Sequence, residues 1–501
     1  MRSVFVLVDG ARADTFYEML NQGFLPNIEK HIVKRGVVVK DAITVFPSTT
    51  GPAHAPFLTG AFPGPLNVPG IRWFDRRKNN YQNYGPLAWL QFERDYVGPE
   101  AFAMNTDMSS EVQTIFERLK NFTTAAIFEP ITRGAKFIYP PLANVMAKIF
   151  GPLKAFTWEH VDTLAAHTFE LVYRCSSIAR WIKLPSEPPM FSAVYMPGVD
   201  EASHEHGPLS ENTRCAIQNV DKQIGHIAKT LIDLGLYDET SIVISSDHGL
   251  RPTSLHFDLG KFLSTVGLDV RSFPITALQG LGEFDATVAV SGNGMAHVYL
   301  AAEGAEDTAF PFQYIKHVWS KKPKFEDLEN YKIRKGRVNM IELMSHLLPV
   351  KHVFVAENKT TFHVFSCDGH GVIRKKGRND YAYDVVRDKD PLGYAALVED
   401  GKIAYREWLD DREWLSATCK AEFPDAPVQI SQIFESPRSG DLILNSNMGW
   451  DLMPDMPPHR GSHGGLHAAE MKVPLLVANS SYEVKPDQPL RTLDVFDILL
   501  A

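Results

Sequence analysis

The chain has 501 residues, of which 44% are hydrophobic and 22% are charged, a composition typical of a globular protein with a large core. Lysine and arginine total 51 against 60 aspartates and glutamates, which gives a net charge of −9 at pH 7. This balance argues against nucleic acid as a bulk partner. A mildly acidic protein can still take an anionic substrate if bound metal ions supply positive charge.

Apolar runs that alternate with helix-like periodicity predict an α/β fold, with a largely parallel central sheet flanked by helices. Strands are predicted at residues 3–8, 36–44, 123–128, 190–196, 241–246, 286–290, 296–300, 361–365 and 473–477, and the sheet is expected to resume at 440–444. Helices are predicted at residues 14–34, 55–58, 111–119, 160–182, 211–234 and 492–500.

The looser pattern in two regions predicts insertions into one domain that spans residues 1–501. The insertions are expected at about 76–188 and about 302–434. Within the first, the apolar segment 143–156 is expected to be a core helix or a lid, because helices that lie on a membrane surface are usually more basic.

The sequence as it stands shows no signal sequence, no transmembrane helix and no pattern of disulfide-forming cysteines. The first apolar run is too short for a signal sequence with a cleavage site, and no apolar run approaches the ~20 residues of a transmembrane helix. We therefore expect a cytoplasmic protein, although a trimmed chain would look the same and would leave a periplasmic or extracellular location open. Buried free thiols, and neither disulfides nor thiolate zinc ligands, are predicted for Cys175, Cys215, Cys367 and Cys419.

Three hydroxyl side chains, Ser48, Thr49 and Thr50, stand in a row between a predicted strand and a predicted helix. Pro52 suits the first turn of that helix, where outward N–H groups and the helix dipole favour an anion. The stretch could hold a phosphate group and present a nucleophile to it. Taken alone, it fits a helix cap by Ser48 or Thr49 better.

Carboxylates and imidazoles follow several predicted strands or lie in glycine-rich loops, where ligands collect in sheets of this type. Asp200 and His204 are four residues apart, so one helical turn or a tight loop would present both to one ion. Asp247 and His248 are adjacent and meet only in a turn, which Gly249 would supply. Each residue taken singly could merely cap or turn, but the whole set suits zinc or another borderline divalent ion. The set is Asp9, Asp200, His204, Asp247, His248 and His463.

The order of these motifs resembles the alkaline phosphatase superfamily, in its type I phosphodiesterase/nucleotide pyrophosphatase branch. The matching segments are residues 8–14, 46–54, 200–208, 246–249 and 462–464. Each motif is weak, whereas the ordered set is specific, and it covers the core and not the inserted regions. The resemblance implies an alkaline phosphatase-like fold with inserted lid or cap regions.

The resemblance also implies two divalent metal ions. Zinc is the expected metal, and manganese is the alternative. By position, one ion would be held by Asp200, His204 and His463. The other would be held by Asp9, Thr50, Asp247 and His248.

Thr50 matches the family's nucleophile, because it stands just before the x-Pro-x-His pattern. Ser48 and Thr49 would then be capping or supporting groups, and His206 matches a position that is not a ligand. His467 lies one helical turn past His463 and is a rival ligand, since residues four apart share a helix face.

The implied activity is metal-dependent hydrolysis of small phosphate esters through a phosphothreonine intermediate on Thr50. Diesters are the substrate class that the resemblance favours. Coordination to a divalent ion lowers the pKa of a hydroxyl, and two ions ~4 Å apart clamp the attacking and leaving oxygens. The C/S-x-P-x-R motif of the sulfatase branch is absent, which argues against sulfate esters as substrates. The oligomeric state stays open.

Two departures from the family's pattern leave the substrate open. Nucleotide-cleaving members usually carry an aromatic residue where this chain has Gly51, and an asparagine near the position of Ile71. Arg72 could contact a phosphoryl group through two nitrogens or could form a surface salt bridge. A fixed guanidinium would favour a phosphomonoesterase or a phosphonate hydrolase, and the second alternative is an inactive anion-binding module.

Overall fold

The computed structural model describes residues 1–84, 103–139, 158–174, 185–273, 284–307, 314–454 and 459–501. Its strands are β1 (Arg2–Val8), β2 (Gly36–Ile43), β3 (Arg72–Asp75), β4 (Asn80–Asn83), β5 (Thr124–Ile127), β6 (Phe137–Tyr139), β7 (Phe191–Met196), β8 (Thr240–Ser245), β9 (Arg251–His256), β10 (Val270–Ser272), β11 (Ala286–Ser291), β12 (Met295–Leu300), β13 (Ala302–Asp307), β14 (Tyr314–Val318), β15 (Tyr331–Ile333), β16 (Gly336–Val338), β17 (Val350–Ala356), β18 (Thr361–Ser366), β19 (Gly369–Lys376), β20 (Asp380–Asp388), β21 (Leu409–Asp410), β22 (Leu442–Ser446), β23 (Gly449–Asp451), β24 (Gly461–Ser462), β25 (Lys472–Ala478) and β26 (Leu490–Arg491).

The α-helices are α1 (Ala13–Asn21), α2 (Pro26–His31), α3 (Ala55–Thr59), α4 (Pro63–Leu66), α5 (Met104–Asp107), α6 (Ile115–Arg118), α7 (Trp158–Tyr173), α8 (Gly198–His206), α9 (Glu211–Asp233), α10 (Leu259–Val266), α11 (Phe325–Glu329), α12 (Met340–Ser345), α13 (Ala395–Glu399), α14 (Asp411–Thr418), α15 (Ala426–Ile433), α16 (Ala468–Met471) and α17 (Val495–Leu500). Within these described ranges, none of the helices combines the length and the hydropathy that crossing a bilayer requires.

The first sheet has eight strands in the order β26-β2-β25-β8-β1-β7-β5-β6. Neighbouring strands run parallel except where β25 is one of the pair, which confirms the prediction of a largely parallel α/β sheet. Val4, Val6 and Val8 of β1 pack under α1, α2, α7 and α9. Phe5 and Leu7 pack under α3 and α17 on the other face, because successive side chains of a strand point to opposite faces.

The second sheet has nine strands in the order β10-β11-β12-β22-β17-β18-β19-β20-β21. The expectation that the central sheet resumes at 440–444 is wrong, because β22 pairs with β12 and β17 in this second sheet. An apolar run shows that a strand is buried but not which strands it joins. The division into one domain with two insertions stays a prediction, and the segment 143–156 lies outside the described residues.

Two predicted helices are shorter than the sequence pattern suggests. The helix predicted at 14–34 is split into α1 and α2 at Gly23, whose φ of +78° ends α1, and Pro26 starts α2. The helix predicted at 111–119 is reduced to α6, because Thr114 and Glu117 form a reciprocal capping box at its start. For the helix predicted at 160–182, α7 ends at Tyr173, and residues 175–182 lie outside the described ranges.

The hydroxyl row does not cap α3. This helix begins at Ala55, so Pro52 lies in the turn before it and not in its first turn. Ser48 Oγ donates a hydrogen bond to the carbonyl of Gly465 at 2.7 Å, and Thr49 Oγ1 is buried without a hydrogen-bond partner among the described residues. The prediction that these residues cap the helix is therefore wrong.

The cysteines only partly follow the prediction. Cys215, Cys367 and Cys419 are free thiols, but only Cys419 is buried. Cys215 and Cys367 are exposed. Cys215 lies on the solvent side of the polar first turns of α9, and Cys367 lies in the turn that follows β18. Cys175 lies outside the described residues.

Candidate metal centre

The carboxyl ends of β7, β1 and β8 meet at one edge of the first sheet, because these strands are parallel neighbours. Asp9 follows β1 directly, and α8, which carries Asp200 and His204, follows β7. Asp247 and His248 follow β8. The topology therefore brings residues from distant parts of the sequence to one place.

Asp200, His204 and His463 form the first group. The aspartate and the first histidine lie one turn apart on α8, with Asp200 Oδ2 3.4 Å from His204 Nε2. The ring of His463 lies 5.1 Å from that of His204, between centroids. One ligand atom from each of the three buried residues lies within 4.8 Å of the other two, which is close enough for all three to bind one ion.

Asp9, Asp247 and His248 form the second group, again with ligand atoms within 4.8 Å of one another. His248 Nε2 is 3.4 Å from Asp9 Oδ1 and 3.3 Å from Asp247 Oδ2. Thr50 Oγ1 joins this group, at 3.1 Å from His248 Nε2 and 3.5 Å from Asp9 Oδ1. The rings of His248 and His463 stack with centroids 3.8 Å apart, so the two groups are adjacent.

The three histidines of the two groups are held by the same kind of contact. In each, Nδ1 donates to a backbone carbonyl: His204 to Gly461 at 2.8 Å, His248 to Gly249 at 3.2 Å and His463 to Ser48 at 3.0 Å. These contacts assign the proton to Nδ1, so each Nε2 presents a lone pair towards the carboxylates. Metal-binding histidines are oriented in this way.

The buried charges fit a divalent cation. Burial, and then the neighbouring Asp247, raise the pKa of Asp9 well above its ordinary value. Burial also raises the pKa of Asp247, but His248 and His54 outweigh it and bring the pKa to about 2. Among the described residues, Asp247 Oδ2 and His463 Nε2 have no hydrogen-bond partner. An ion between these atoms would offset the repulsion and satisfy the lone pairs.

Sequence reasoning missed residues that support the two groups. The hydroxyl of Tyr195 donates to Asp9 Oδ2. His54 places Nε2 3.3 Å from Asp247 Oδ2 and Nδ1 3.3 Å from Glu129 Oε1. Burial lowers the pKa of His54, but Glu129 and Asp247 raise it to about 10. Glu129 follows the end of β5, so its strand-end position is a signal that could have found it.

Two glycines allow the backbone to approach the site closely. Gly10 has a φ of +69°, and a Cβ on it would lie 2.7 Å from the Cα of Asp200. Gly249 was expected to supply a turn, but its φ is not in the left-handed region. A Cβ on Gly249 would lie 2.3 Å from the carbonyl oxygen of Ala469, so this glycine is needed for close packing instead.

Arg72 starts β3 and is only 1% exposed, so the alternative of a surface salt bridge is wrong. Its Nη1 donates to the carbonyl of Val290 at 3.1 Å, and its Nε donates to Asn83 Oδ1 at 3.1 Å. The guanidinium also lies over the ring of Phe273, at 4.2 Å from the centroid. These contacts fix the side chain within the fold, and contact with a substrate stays a prediction.

His467, the rival ligand, and His206, which was not expected to be a ligand, lie outside both groups. His467 is not one helical turn past His463, because residues 463–467 form no helix. Its Nδ1 accepts from the N–H of Ala469 at 3.1 Å and caps α16, so the idea of a rival ligand is wrong. His206 is the exposed last residue of α8.

The two-sheet α/β fold is that of an alkaline phosphatase-like protein, and two carboxylate–histidine groups lie at the edge of its first sheet. Residues 3–466 match the sequence model of the family described as type I phosphodiesterase / nucleotide pyrophosphatase. The chain belongs to this family.

Relatives with curated descriptions match over part of their length. The chain is 26% identical to bis(5'-adenosyl)-triphosphatase enpp4 of Mus musculus over 258 residues, which cover 50% of this chain and 48% of that protein. It is 28% identical to an uncharacterized pyrophosphatase/phosphodiesterase of Schizosaccharomyces pombe over 254 residues, 50% of this chain and 45% of that protein. The match thus spans about half the length of these relatives.

Solved structures share the fold over the whole chain. Human ectonucleotide pyrophosphatase / phosphodiesterase 5 superposes with a TM-score of 0.55 at 16% identity, and the match covers 100% of this chain and 94% of that one. Phosphonoacetate hydrolase from Sinorhizobium meliloti 1021, in complex with phosphonoformate, gives 0.54 at 14% identity, covering 100% and 95%. These likenesses show the alkaline phosphatase-like fold.

Proposed function

We propose that the protein is a metal-dependent hydrolase of small phosphate esters, with diesters as the first substrate class. The observation that carries this proposal is the position of Thr50, whose hydroxyl lies 3.1 Å from His248 Nε2 within a buried group of ligands. The family and the names of the relatives support the same chemistry.

The two groups of ligands suit two divalent ions. Zinc is the expected metal, and manganese is the alternative. Asp200, His204 and His463 would hold one, and Asp9, Thr50, Asp247 and His248 would hold the other. When bound, such ions lower the pKa of a coordinated hydroxyl and stabilise negative charge on the phosphoryl oxygens.

Thr50 is the proposed nucleophile. Its Oγ1 attacks phosphorus as the bond from phosphorus to the leaving oxygen breaks; this gives a phosphothreonine, and the threonine proton is balanced by protonation of the departing alcohol. Water then attacks that phosphorus as the bond from phosphorus to Oγ1 breaks, one water proton restores the Thr50 hydroxyl, and the phosphate product leaves. Tyr195 and His54 hold Asp9 and Asp247 in place during both steps, so the ligand geometry does not need to form anew in each turnover.

The test is turnover of bis-p-nitrophenyl phosphate by protein loaded with zinc or manganese, compared with protein stripped by a chelator. We expect hydrolysis with either ion, loss after stripping and recovery on reloading. Hydrolysis that is unaffected by complete removal of metal would contradict the proposal. Bound metal without turnover of any ester would favour the inactive anion-binding module.

A second candidate, a phosphomonoesterase or phosphonate hydrolase, is favoured by the residue after Thr50. Gly51 has a φ of +93°, and a Cβ there would lie 2.8 Å from the sulfur of Met104. Met104 thus occupies the direction in which an aromatic side chain would leave position 51, which argues against stacking on a nucleotide base.

Comparing bis-p-nitrophenyl phosphate, p-nitrophenyl phosphate and phosphonoacetate as substrates separates the candidates. A strong diester preference that Arg72→Ala leaves unchanged would exclude the second.

A further inference from the structure

A third group of potential ligands, His256, Asp451 and His459, lies outside the proposed catalytic centre. Asp451 Oδ2 is 2.8 Å from His256 Nδ1 and 2.5 Å from His459 Nε2. Ligand atoms of all three lie within 4.8 Å of one another. The side chains are 14%, 0% and 7% exposed, in the order His256, Asp451, His459, so the group is nearly closed to solvent.

A small three-stranded sheet, β23-β9-β24, brings this group together. His256 ends β9 and Asp451 ends β23, and the two residues are paired directly across the parallel strands. His459 lies two residues before β24, which pairs with the start of β9. None of these residues belongs to one of the recognised motifs, so they could not be grouped from the sequence.

The amide of Asn293 completes the group. Its Nδ2 lies 2.9 Å from His459 Nε2, and the residue is 4% exposed. Its Oδ1 is buried and has no hydrogen-bond partner among the described residues. Because amide oxygen and nitrogen are assigned from their neighbours, turning the amide would direct Oδ1 towards His459 and the carboxylate.

The hydrogen bonds around His459 Nε2 conflict with one another. The contact with Asp451 requires a proton on this nitrogen, whereas the contact with Asn293 Nδ2 requires a lone pair there. One nitrogen cannot meet both requirements. Turning the amide removes the conflict, and a cation between the side chains would then have Nε2, Oδ2 and the amide oxygen as ligands.

We propose that His256, Asp451, His459 and Asn293 form a further metal site, for zinc or a similar borderline divalent ion. Two imidazoles and a carboxylate are a zinc donor set, and an amide oxygen can take the fourth position. The ion would be structural, because protein ligands fill the site.

The site would stabilise loops that carry the catalytic ligands. β9 begins three residues after His248, and β24 ends immediately before His463. Asn293 itself forms a backbone bridge with His463 and accepts from the N–H of Leu452 at 2.9 Å. An ion that fixes this small sheet would therefore also fix two loops of the proposed catalytic centre.

A surface group offers a matched control. His226 Nε2 also lies 2.8 Å from a carboxylate oxygen, that of Glu170, and His167 is nearby. However, Glu170 already pairs with Arg174 at 2.7 Å, so its charge is compensated and no ion is required.

The experiment counts zinc per chain in wild-type protein and in His256→Ala, His459→Gln and His226→Ala, after loading with zinc and extensive dialysis. Circular dichroism and thermal unfolding check the fold of each variant. We expect loss of about one zinc per chain in the first two variants and no loss in His226→Ala. Wild-type zinc content in folded His256→Ala or His459→Gln would overturn the proposal, as would an equal loss in His226→Ala.

The double variant His204→Ala/His248→Ala separates this site from the catalytic centre and keeps the test valid if either variant fails to fold. We expect this double variant to retain about one zinc per chain, which Asp451→Asn then removes. Absence of zinc from the folded double variant would overturn the proposal. The count does not depend on turnover, so a failure of the proposed function would leave it interpretable.

Discussion

Thr50 Oγ1 lies 3.1 Å from Nε2 of His248, although 198 residues separate the two in the sequence. The contact arises because Thr50 and the end of β8 approach the same edge of the first sheet, where Thr44 Oγ1 also donates to the carbonyl of Asp247. Thr50 is only 1% exposed, so its hydroxyl is kept from bulk water and could be held against a bound ion.

Replacing Thr50 with alanine should lower kcat at least about a thousandfold, because the proposed nucleophile is lost. Zinc content should stay the same, since Asp9, Asp247 and His248 remain. The neighbouring Thr49→Val is the control, because Thr49 Oγ1 is buried without a partner among the described residues, and we expect it to keep its activity. Turnover by Thr50→Ala within tenfold of the wild type would rule out Thr50 as the nucleophile.

Tyr195→Phe should weaken metal binding without unfolding the protein. The change removes the hydroxyl that donates to Asp9 Oδ2, and loss of such a supporting contact typically costs about 10- to 100-fold in metal affinity. Competition with a zinc chelator measures the affinity. Tyr173→Phe removes another buried hydroxyl, 3.2 Å from Ser192 Oγ, and should leave metal affinity unchanged; equal affinities in all three proteins would contradict this role.

Glu129→Gln should act on the same site through His54. The carboxylate lies 3.3 Å from His54 Nδ1 and also accepts from the N–H of Ile131 at 2.9 Å. An amide keeps the volume but removes the charge that holds His54 against Asp247, so we expect about a tenfold loss of metal affinity or activity. Glu117→Gln, in the capping box of α6, serves as the control and should change neither quantity, because Glu117 does not contact His54.

Arg491→Ala should destabilise the fold by about 3–5 kcal/mol, because it leaves a buried carboxylate unpaired. Arg491 binds Asp425 through two contacts, of 2.7 and 2.9 Å, and the two side chains are 1% and 0% exposed. Arg412→Ala removes a half-exposed partner of Asp494 and should cost about 1 kcal/mol or less. Urea unfolding compares the two variants, and equal losses would refute the argument from burial.

His352 should make stability depend on pH. Burial, helped by Lys351, lowers its pKa to about 3, while Nε2 donates to the carbonyl of Pro391 at 2.7 Å. As pH falls below about 6.5, the unfolded chain takes up a proton that the folded chain refuses, so stability falls by about 1.4 kcal/mol per pH unit until the folded pKa is reached. His352→Gln should remove that part of the slope in urea unfolding between pH 6.5 and 4. An unchanged slope would contradict a neutral, buried His352, and exposed His346→Ala is the control.

The sequence predicted the structure best where a local pattern of residues has a single physical explanation. The apolar run of β1 predicted a strand buried on both faces, and its side chains alternate between two cores as expected. The predicted ligands Asp200 and His204 lie one helical turn apart, which their spacing allowed. The prediction of one unbroken helix at 14–34 failed because its apolar spacing fits two short helices, separated at Gly23, as well as one long helix.

Partners across the sheets could not be read from the sequence. The apolar segment of β22 looks like a strand of the central sheet but pairs with β12 and β17 in the second one. His467 has the spacing of a helical ligand but lies in a bend and caps α16 instead. Spacing predicts a shared face only if the backbone between the two residues is helical.

By itself, the sequence determined the fold class, the main strands of the first sheet and the short motifs, because hydrophobic periodicity and local backbone chemistry act over a few residues. The tertiary structure alone decided that Tyr195 contacts Asp9, that Glu129 and His54 form a chain of contacts to Asp247, and that His256 lies beside Asp451 and His459. These contacts join residues far apart in the chain, and strand pairing, which brings them together, depends on the packing of the whole molecule.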